Sequence, residues 1–305
     1  MSDVTSPARD VPDFLLDPHN GRTFVPTAHH DSYPAIDLAK VDLPGKVVLV
    51  TGASKGIGKA TALTFARVGV LGLVLVARSD METLKAECLA VQRPGRPLKV
   101  LTLSSVDATD PGHVDDAARK VQETFGRLDV VINNAGFMET LLPIIKSDPN
   151  EWWKTWEVNV RGTFNVTRSF LPLLIESGGD KTIINMSSIA AHLVLPQGSA
   201  YTTSKLALLR FTECIMAEHG DQGVLAYAAD PGAIATDMAK ALPDVMQSML
   251  IDTLELAANG VVWLARERRP WLAGRYVSFI WDVDELSAKE KEIVAGDKLK
   301  VKLVI

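Results

Sequence analysis

The chain has few cysteines and no excess of positive charge, and each shortage excludes a class of protein. Cys88 and Cys214 are its only cysteines, so neither a disulfide framework nor a paired-cysteine metal site is expected. Its 32 Lys and Arg residues face 37 Asp and Glu residues, which gives a formal net charge of −5. Because nucleic-acid binders usually present a basic face, we expect no nucleic-acid partner, and we also expect no metal.

Long apolar runs are also missing. No uninterrupted stretch approaches the ~20 residues of a membrane-spanning helix, so no membrane span is expected. The acidic, proline-containing start lacks a basic segment followed by an apolar one, and so no secretory signal is visible. The final residues, Lys302–Ile305, differ from the peroxisomal address Ser-Lys-Leu. We therefore expect a cytoplasmic protein.

From Lys46 onward, short β-branched runs alternate with longer helical stretches. The predicted strands are Val47–Val50, Leu73–Ala77, Lys99–Leu103, Leu128–Ile132, Thr182–Met186, Val224–Ala229 and Tyr276–Ile280. The predicted helices are Ile57–Val68, Met81–Val91, Val114–Phe125, Trp152–Ile175, Ser199–His219 and Leu254–Ala265. Several strands are apolar throughout, as expected when both faces of a sheet are covered. The alternation predicts an α/β fold, a doubly wound, seven-stranded parallel sheet with helices on both faces (a Rossmann-like three-layer sandwich).

The chain is expected to form one domain with extensions at both ends. We assign residues 1–45 to a partly ordered arm, 46–281 to a Rossmann-type domain with a lid over about 237–251, and 282–305 to a tail. The arm is acidic, with seven acids and three bases, and two interpretations of it stay open. It is either a disordered leader or a segment that packs on the domain or on a partner subunit. The apolar residues that favour packing are Phe14, Leu15, Leu16, Phe24, Val25 and Tyr33.

Tyr201 and Lys205 are four residues apart in a predicted helix, and Ser188 lies thirteen residues before Tyr201. A phenol is a poor acid at neutral pH, because its pKa is about 10. A lysine at i+4 shares the helical face of the tyrosine, and its positive charge favours the phenolate. The pair is therefore expected to pass a proton near physiological pH, as the interconversion of a carbonyl and an alcohol requires.

A glycine-rich loop, Thr51–Gly58, joins the first predicted strand to the first predicted helix. Glycine lets the backbone turn tightly and approach a pyrophosphate at the helix N-terminus, where free N–H groups and the helix dipole favour an anion. A simple strand-to-helix turn is the alternative, but the strand-loop-helix context favours dinucleotide binding. The expected cofactor-binding residues of this loop are Gly52, Ser54, Lys55, Gly56, Ile57 and Gly58.

Two further segments follow predicted strands and are expected at the same sheet edge, where ligands bind in such folds. Asn134, Ala135 and Gly136 end the fourth strand, and the two small residues permit close approach of a cofactor. Asp107 follows the third strand and is placed to accept hydrogen bonds from an adenine ring. Its alternative role is to start a turn or cap the helix after Pro111.

Six separated features resemble the short-chain dehydrogenase/reductase family in order and spacing, and more narrowly its single-domain subgroup. They are Thr51–Gly58, Asn133–Gly136, Asn159, Ser188, Tyr201 and Lys205, and the resemblance covers about residues 44–280. It implies a nicotinamide-dependent oxidoreductase. The stretch Pro231–Thr236 resembles the nicotinamide-side loop of the family, which implies cofactor contacts from Pro231, Gly232, Ile234 and Thr236.

The resemblance also implies a role for each catalytic residue. Tyr201 would be the general acid in reduction and the base in oxidation. Lys205 would lower the pKa of Tyr201 and bind the nicotinamide ribose. Ser188 would hydrogen-bond the substrate oxygen, with Ser187 as a less well spaced rival. Asn159 would hold a water that links Lys205 to solvent, and taken alone it reads as a tolerated polar residue in a helix.

The choice of cofactor is argued from charge. NAD-dependent enzymes usually carry an acid at the end of the second strand, and here that place reads Ala77-Arg78-Ser79. The guanidinium of Arg78 suits a 2′-phosphate, and Lys55 adds a second positive charge. In the resembled family this pairing implies NADP (NADPH) rather than NAD. The alternative is that both side chains are merely solvated.

The expected substrate is a lipophilic carbonyl or alcohol, because the segments expected around it, Phe137–Ile145, Ile189–Gly198 and Asp237–Ile251, are mostly apolar. His192 is the one titratable group expected near the pocket mouth. Two alternatives to carbonyl reduction stay open: a redox-neutral epimerisation or cyclisation, and a non-catalytic NADP(H)-sensing protein. A homodimer or homotetramer is expected from the family, and the unusual segment after the last strand puts the tetramer in doubt.

Overall fold

A sheet of seven parallel strands forms the centre of the molecule, for which the computed structural model describes residues 20–303. The strand order is β3-β2-β1-β4-β5-β6-β7, and every neighbouring pair is parallel. The strands are β1 (Val47–Thr51), β2 (Gly72–Val76), β3 (Lys99–Leu103), β4 (Val130–Asn133), β5 (Thr182–Met186), β6 (Leu225–Asp230) and β7 (Tyr276–Ser278). The expected fold class is therefore confirmed.

The helices that surround the sheet are α1 (Gly56–Arg67), α2 (Glu82–Ala90), α3 (Pro111–Phe125), α4 (Pro149–Trp156), α5 (Thr163–Glu176), α6 (Ser199–His219), α7 (Asp244–Gln247), α8 (Leu254–Arg266), α9 (Val283–Ala288) and α10 (Glu290–Ala295). The long helix predicted at Trp152–Ile175 is interrupted. Between α4 and α5 the chain widens into a π-helical turn, Glu157–Gly162. Apolar periodicity does not reveal such a turn, which frequently marks a functional site.

Both faces of the sheet are buried, because successive side chains of a strand point to opposite faces. In β1, Val48 and Val50 pack into one apolar cluster with Phe65, while Val47 and Leu49 pack into a second. This two-sided burial explains why β1, β2, β5 and β6 are buried along their whole length. Strands that are apolar throughout are thus the expected consequence of helices on both faces.

The described part of the N-terminal arm packs on the chain's own domain. Its buried apolar side chains include Val25, Tyr33 and Ile36. The Tyr33 hydroxyl donates to the carbonyl oxygen of Trp281 at 3.0 Å and accepts from the N–H of Val283 at 2.9 Å. The arm therefore holds the segment that follows β7. The apolar group Phe14–Leu16 lies outside the described residues.

The segment after β7 continues into two short helices, α9 and α10, that close over the same side of the molecule. Trp281 is fully buried, and the N–H of Tyr276 donates to the carbonyl oxygen of Leu299 at 2.8 Å.

Within residues 20–303, no helix is long and apolar enough to cross a membrane.

Candidate active site

Ser188, Tyr201 and Lys205 come together at the carboxyl ends of β5 and β6, where α6 passes the sheet. The ammonium of Lys205, in a side chain that is 5% exposed, donates to the carbonyl oxygen of Met186 at 2.7 Å. Its Nζ lies 5.6 Å from the centroid of the Tyr201 ring. Ser188 hydrogen-bonds the Tyr201 hydroxyl. The three side chains are therefore positioned by one helix and by the loop that follows β5.

The electrostatics of Tyr201 differ from the sequence-based expectation. Burial raises the pKa of Tyr201 to about 12, and the hydrogen bond with Ser188 only partly opposes this. Burial also lowers the pKa of Lys205 to about 8. The expectation that Lys205 holds the pKa of Tyr201 below its ordinary value is therefore wrong for the chain alone. The physical reason is that desolvation outweighs the charge of an ammonium that is hydrogen-bonded to Met186 rather than to the phenol.

Asn159 lies in the π-helical turn and is fully buried. Its Oδ1 accepts from the N–H of Phe137 at 2.8 Å, and its Nδ2 donates to the Phe137 carbonyl and to the Ser204 hydroxyl, each at 2.9 Å. A Cβ placed on Gly136 would lie 3.5 Å from Asn159 Oδ1 and 3.8 Å from Lys205 Nζ. Asn159 therefore ties the segment after β4 to α6 beside Lys205. Its expected role as a water ligand stays a prediction.

The two loops expected to bind the cofactor are in direct contact. Gly52 has a φ of +63°, and a Cβ there would lie 2.9 Å from the Cα of Ala135. A Cβ on Gly58 would overlap the carbonyl oxygen of Gly52. The Asn134 amide donates to the Thr51 carbonyl at 2.9 Å. Glycine is therefore required at both positions, because the two loops leave no room for a side chain.

The start of α1 fits an anionic ligand. The helix begins at Gly56, and Lys55 before it makes no side-chain hydrogen bond to the helix terminus. The first N–H groups, which include those of Ile57 and Gly58, therefore have no side-chain cap, and the helix dipole favours a negative charge at this end. Gly52 and Gly58 form a glycine cradle in the same loop, and together with this cradle and with Ser54 the helix terminus would hold a dinucleotide pyrophosphate.

Arg78 and Asp107 line an open cavity of about 370 Å³ next to Thr109, Trp153 and Lys154. The Asp107 carboxylate accepts from the N–H and hydroxyl of Thr109, at 2.9 and 2.8 Å. Although burial acts in the opposite direction, these hydrogen bonds and the charge of Arg78 lower the pKa of Asp107. The cavity thus offers a carboxylate, a guanidinium and an aromatic wall, and the adenine role of Asp107 stays a prediction.

Asp107 takes the turn-forming role that was its alternative, but it is not the helix cap. Asp110 caps α3, since its carboxylate accepts from the N–H groups of Gly112 and His113 at 2.8 and 3.2 Å.

Lys55 points toward the lid. Its Nζ lies 3.4 Å from Oδ2 of Asp237, which also pairs with Lys240 at 2.7 Å. Both partners of the Lys55–Asp237 pair are more than half exposed, so the pair contributes little to stability. The second positive charge expected for a 2′-phosphate is therefore shared with the first residue of the lid.

The loop Pro231–Thr236, which is expected on the nicotinamide side, is held by Asp252. Gly232 has a φ of +94°, and a Cβ there would lie 2.6 Å from Oδ2 of Asp252. The same oxygen accepts from the N–H of Ala233 at 2.5 Å, and Ile234 forms a parallel bridge with Asp252. Thr236 reaches the phosphate loop, since its Cγ2 would lie 3.6 Å from a Cβ on Gly56.

Two of the three segments expected around the substrate are hydrogen-bonded to each other. The N–H of Leu142 donates to the carbonyl oxygen of Gln197 at 3.1 Å. From the third segment, Met238 Cε would lie 3.7 Å from a Cβ on Gly136. Several of their apolar side chains are exposed, most strongly Ile145 and Val194 at 92% and 93%.

His192 also lies on this side, with its ring packed edge-on to Tyr276 at 4.5 Å, and burial lowers its pKa.

Sequence reasoning missed two buried carboxylates beside Tyr201. Oε1 of Glu139 accepts from the N–H groups of Ala200 and Tyr201 at the start of α6, at 2.9 and 3.1 Å. Asp230 ends β6 and is 2% exposed. For Asp230 a signal was available, because an acid ends an otherwise uncharged, fully buried strand directly before the Pro231–Thr236 loop. No comparable pattern marks Glu139.

Comparisons with known proteins identify the family to which this chain belongs. The family model described as short chain dehydrogenase matches residues 46–247. A short chain dehydrogenase, mpl6, of Monascus purpureus is 48% identical over 289 residues, covering 94% of this chain and 99% of its own length. Another, andI of Emericella variicolor, is 42% identical over 282 residues, covering 92% and 96%. A solved structure of a short chain dehydrogenase from Shigella flexneri complexed with NADP aligns with a TM-score of 0.69 at 25% identity, covering 78% and 98%.

The parallel sheet, the glycine cradle and the Ser-Tyr-Lys group at the strand ends define the class as nicotinamide-dependent oxidoreductases. The chain belongs to the short-chain dehydrogenase/reductase family. Members of this family bind a nicotinamide cofactor and act on small-molecule substrates.

Proposed function

We propose that this protein is an NADP(H)-dependent oxidoreductase that interconverts a ketone or aldehyde and an alcohol on a lipophilic small molecule. The observation that carries the proposal is the meeting of Ser188, Tyr201 and Lys205 beside Gly136 at the end of the cofactor cradle. In this arrangement Tyr201 would donate a proton to the oxygen of a substrate carbonyl. The reaction needs this proton alongside the hydride.

The proposed mechanism assigns each proton to a stated atom. A nicotinamide bound here would supply the hydride to the carbonyl carbon in reduction and accept it from the alcohol carbon in oxidation. The Tyr201 hydroxyl gives its proton to the carbonyl oxygen in reduction and takes it back in oxidation. The Ser188 hydroxyl hydrogen-bonds that oxygen and stabilises the negative charge that develops on it. Lys205 would bind the nicotinamide ribose.

The role proposed for Asn159 is to hold the water that links Lys205 to solvent. It is supported by the proximity of Asn159 Oδ1 and Lys205 Nζ at Gly136, while both amide atoms of Asn159 also fix the backbone of Phe137.

The preference for NADP is supported by Arg78 at the mouth of the cavity with Asp107 and Trp153. A guanidinium binds a phosphate through two parallel hydrogen bonds, whereas a ribose hydroxyl is better served by an acid. Lys55 stands at the phosphate loop and would exchange Asp237 for the 2′-phosphate. The structural relative from Shigella flexneri, which binds NADP, is consistent with this choice.

A lipophilic substrate is supported by exposed apolar side chains in the three segments expected around it. Ile144, Ile145 and Val194 are more than three-quarters exposed, and Met238 is 36% exposed. Apolar walls with a few convergent polar groups are typical of sites for small lipophilic ligands. The lid over about 237–251 would close on the substrate after the cofactor has bound.

We also propose that the protein is cytoplasmic and works as a homodimer or homotetramer. Phe164 on α5 and Leu206 on α6 are 49% and 39% exposed, which supports pairing through these two helices. The domain boundaries proposed from the sequence, 46–281 for the catalytic domain with extensions on either side, are retained.

The proposal is tested by mixing purified protein with NADPH and a panel of lipophilic ketones, and following the loss of NADPH together with the appearance of alcohol. Equal amounts of both support carbonyl reduction. Product without net loss of NADPH points to a redox-neutral epimerisation or cyclisation. Binding of NADPH with no product from any member of a broad panel points to a sensing protein. The Tyr201→Phe variant serves as the control for the proton donor.

A further inference from the structure

The carboxylate of Asp230 joins three segments at the edge of the sheet that carries the site. Its Oδ1 accepts from the N–H of Ile189 at 3.0 Å and from the N–H of Gly232 at 3.4 Å. Its Oδ2 accepts from the hydroxyl of Ser278 at 2.7 Å. Ile189 follows Ser188, Gly232 lies in the nicotinamide-side loop, and Ser278 ends β7. One buried side chain thus connects the ends of β5, β6 and β7.

The charge of Asp230 has no ion-pair partner in the part of the chain that the structure describes. Burial raises its pKa, while its hydrogen bonds favour the ionised form. Its field acts on the titratable groups that face it from α6, from the turn after β5 and from β7. These groups are Tyr201 and Lys205 on α6, His192 after β5, and Tyr276 on β7. The negative charge of Asp230 acts to raise the pKa of each one, although burial lowers the pKa of Lys205 and His192 overall. The charge of Glu139 acts on the pKa of Tyr201 in the same direction.

We propose that Asp230 is a positioning residue for the reaction, which sets the Ser188 loop against the nicotinamide-side loop. The inference rests on the proposed function. Its geometric part follows from the hydrogen bonds, because the peptide that follows Ser188 and the backbone of Gly232 are held by the same oxygen. Its electrostatic part follows from a buried negative charge, which opposes formation of the Tyr201 phenolate. Asp230 would therefore favour the reductive direction.

The negative charge of Asp230 can be removed while its hydrogen bonds are kept. Asp230→Asn keeps an oxygen that accepts from Ile189 and Gly232, and its amide donates to the Ser278 hydroxyl, which is also an acceptor. Ser278→Ala keeps the charge and removes one donor. The two variants therefore isolate the negative charge from the hydrogen-bond framework.

The experiment measures kcat for ketone reduction and for alcohol oxidation against pH in the wild type and both variants. Removing the charge lowers the pKa of Tyr201, so in Asp230→Asn we expect the falling alkaline limb of the reduction profile and the rising limb of the oxidation profile both to move to lower pH by about 1 unit. In Ser278→Ala both limbs stay within a few tenths of a unit. A uniform loss of rate in Asp230→Asn with an unmoved limb overturns the proposal, since that is the mark of a purely structural role.

Failure of the proposed function is distinguished by a readout that needs no turnover. The phenolate absorbance of Tyr201 is isolated by subtracting the titration of a Tyr201→Phe counterpart, in both the wild-type and the Asp230→Asn background. The proposal expects a lower midpoint in the Asp230→Asn background. Equal midpoints overturn it, even where the wild type reduces no carbonyl and binds no nicotinamide.

Discussion

The carboxylate of Glu139 accepts a hydrogen bond from the backbone N–H of Tyr201 at 3.1 Å. It also accepts from the N–H of Ala200 at 2.9 Å, so a side chain from the segment after β4 anchors the first turn of α6. Because a helix terminus leaves N–H groups unsatisfied, a buried carboxylate is well matched to this place. The position of the proposed proton donor thus depends on a residue 62 positions earlier in the chain.

Replacing Glu139 should therefore affect both stability and catalysis. Glu139→Ala leaves two buried N–H groups unpaired and is expected to lower the free energy of unfolding by about 1–3 kcal/mol. Displacement of the Tyr201 hydroxyl is expected to lower kcat by up to about a hundredfold. Thermal or urea unfolding and steady-state kinetics measure the two effects.

Glu139→Gln is the matched control, because it keeps one oxygen as acceptor. It is expected to recover most of the lost stability and rate. If the Ala and Gln variants have the same kcat as the wild type, α6 is positioned without Glu139 and the anchoring argument is wrong.

Tyr201→Phe removes the proposed proton donor and changes little else. We expect turnover to fall below detection while the dissociation constant for NADPH stays within a few-fold of the wild type, because the hydroxyl adds little to cofactor binding. Fluorescence titration and a turnover assay on the same preparation separate the two quantities. Ser187→Ala provides a comparison, since Ser187 Oγ hydrogen-bonds the Lys205 carbonyl rather than a catalytic group. Unchanged turnover in Tyr201→Phe would exclude the proposed acid.

Local patterns were sufficient to predict the groups that share a short stretch of chain. Tyr201 and Lys205 lie on one helical face, and Gly52 and Gly58 cannot carry side chains in so tight a loop. Glu139 and Asp230 act on backbone N–H groups 61 and 41 residues away, and no periodicity encodes such contacts. The direction of the shift in the pKa of Tyr201 could not be predicted from the sequence either, because it depends on how far the fold removes the phenol from water. The sequence spacing predicts that Lys205 lies near Tyr201, but it does not predict the burial that raises the pKa of Tyr201.

Arg78→Ala tests the preference for NADP. Loss of a charge-assisted contact of about 1.5–3 kcal/mol corresponds to a rise of about tenfold to a hundredfold in the dissociation constant of NADPH. The dissociation constant of NADH, which lacks the 2′-phosphate, should change by less than about threefold. Titration of nicotinamide fluorescence with both cofactors measures the ratio. Lys55→Ala is the comparison, and a smaller loss is expected because its ammonium is shared with Asp237. Equal weakening of NADPH and NADH in Arg78→Ala would remove the 2′-phosphate argument.

The buried ammonium of Lys205 predicts a dependence of stability on pH. Burial lowers the pKa of Lys205 from its ordinary 10.5 to about 8, so between these values the unfolded chain binds more protons than the folded one. Stability contributed by this group therefore rises with pH from about 8 to about 10.5, and below pH 8 the folded protein bears the cost of a buried charge. Tyr201 contributes the opposite slope only at higher pH, since its pKa is raised to about 12.

Lys205→Met should accordingly be inactive yet more stable than the wild type at pH 7, by about 1–3 kcal/mol after allowance for the lost hydrogen bond to Met186. The difference should shrink as the pH approaches 10, because the wild-type lysine then sheds its proton in the folded state. Urea unfolding at several pH values measures this difference, and Leu206→Met, one residue farther along α6 on an exposed side chain, controls for the substitution itself. A Lys205→Met variant that is less stable than the wild type at every pH would mean that the Met186 hydrogen bond outweighs desolvation. The active-site lysine would then stabilise the fold instead of being held at a cost to it.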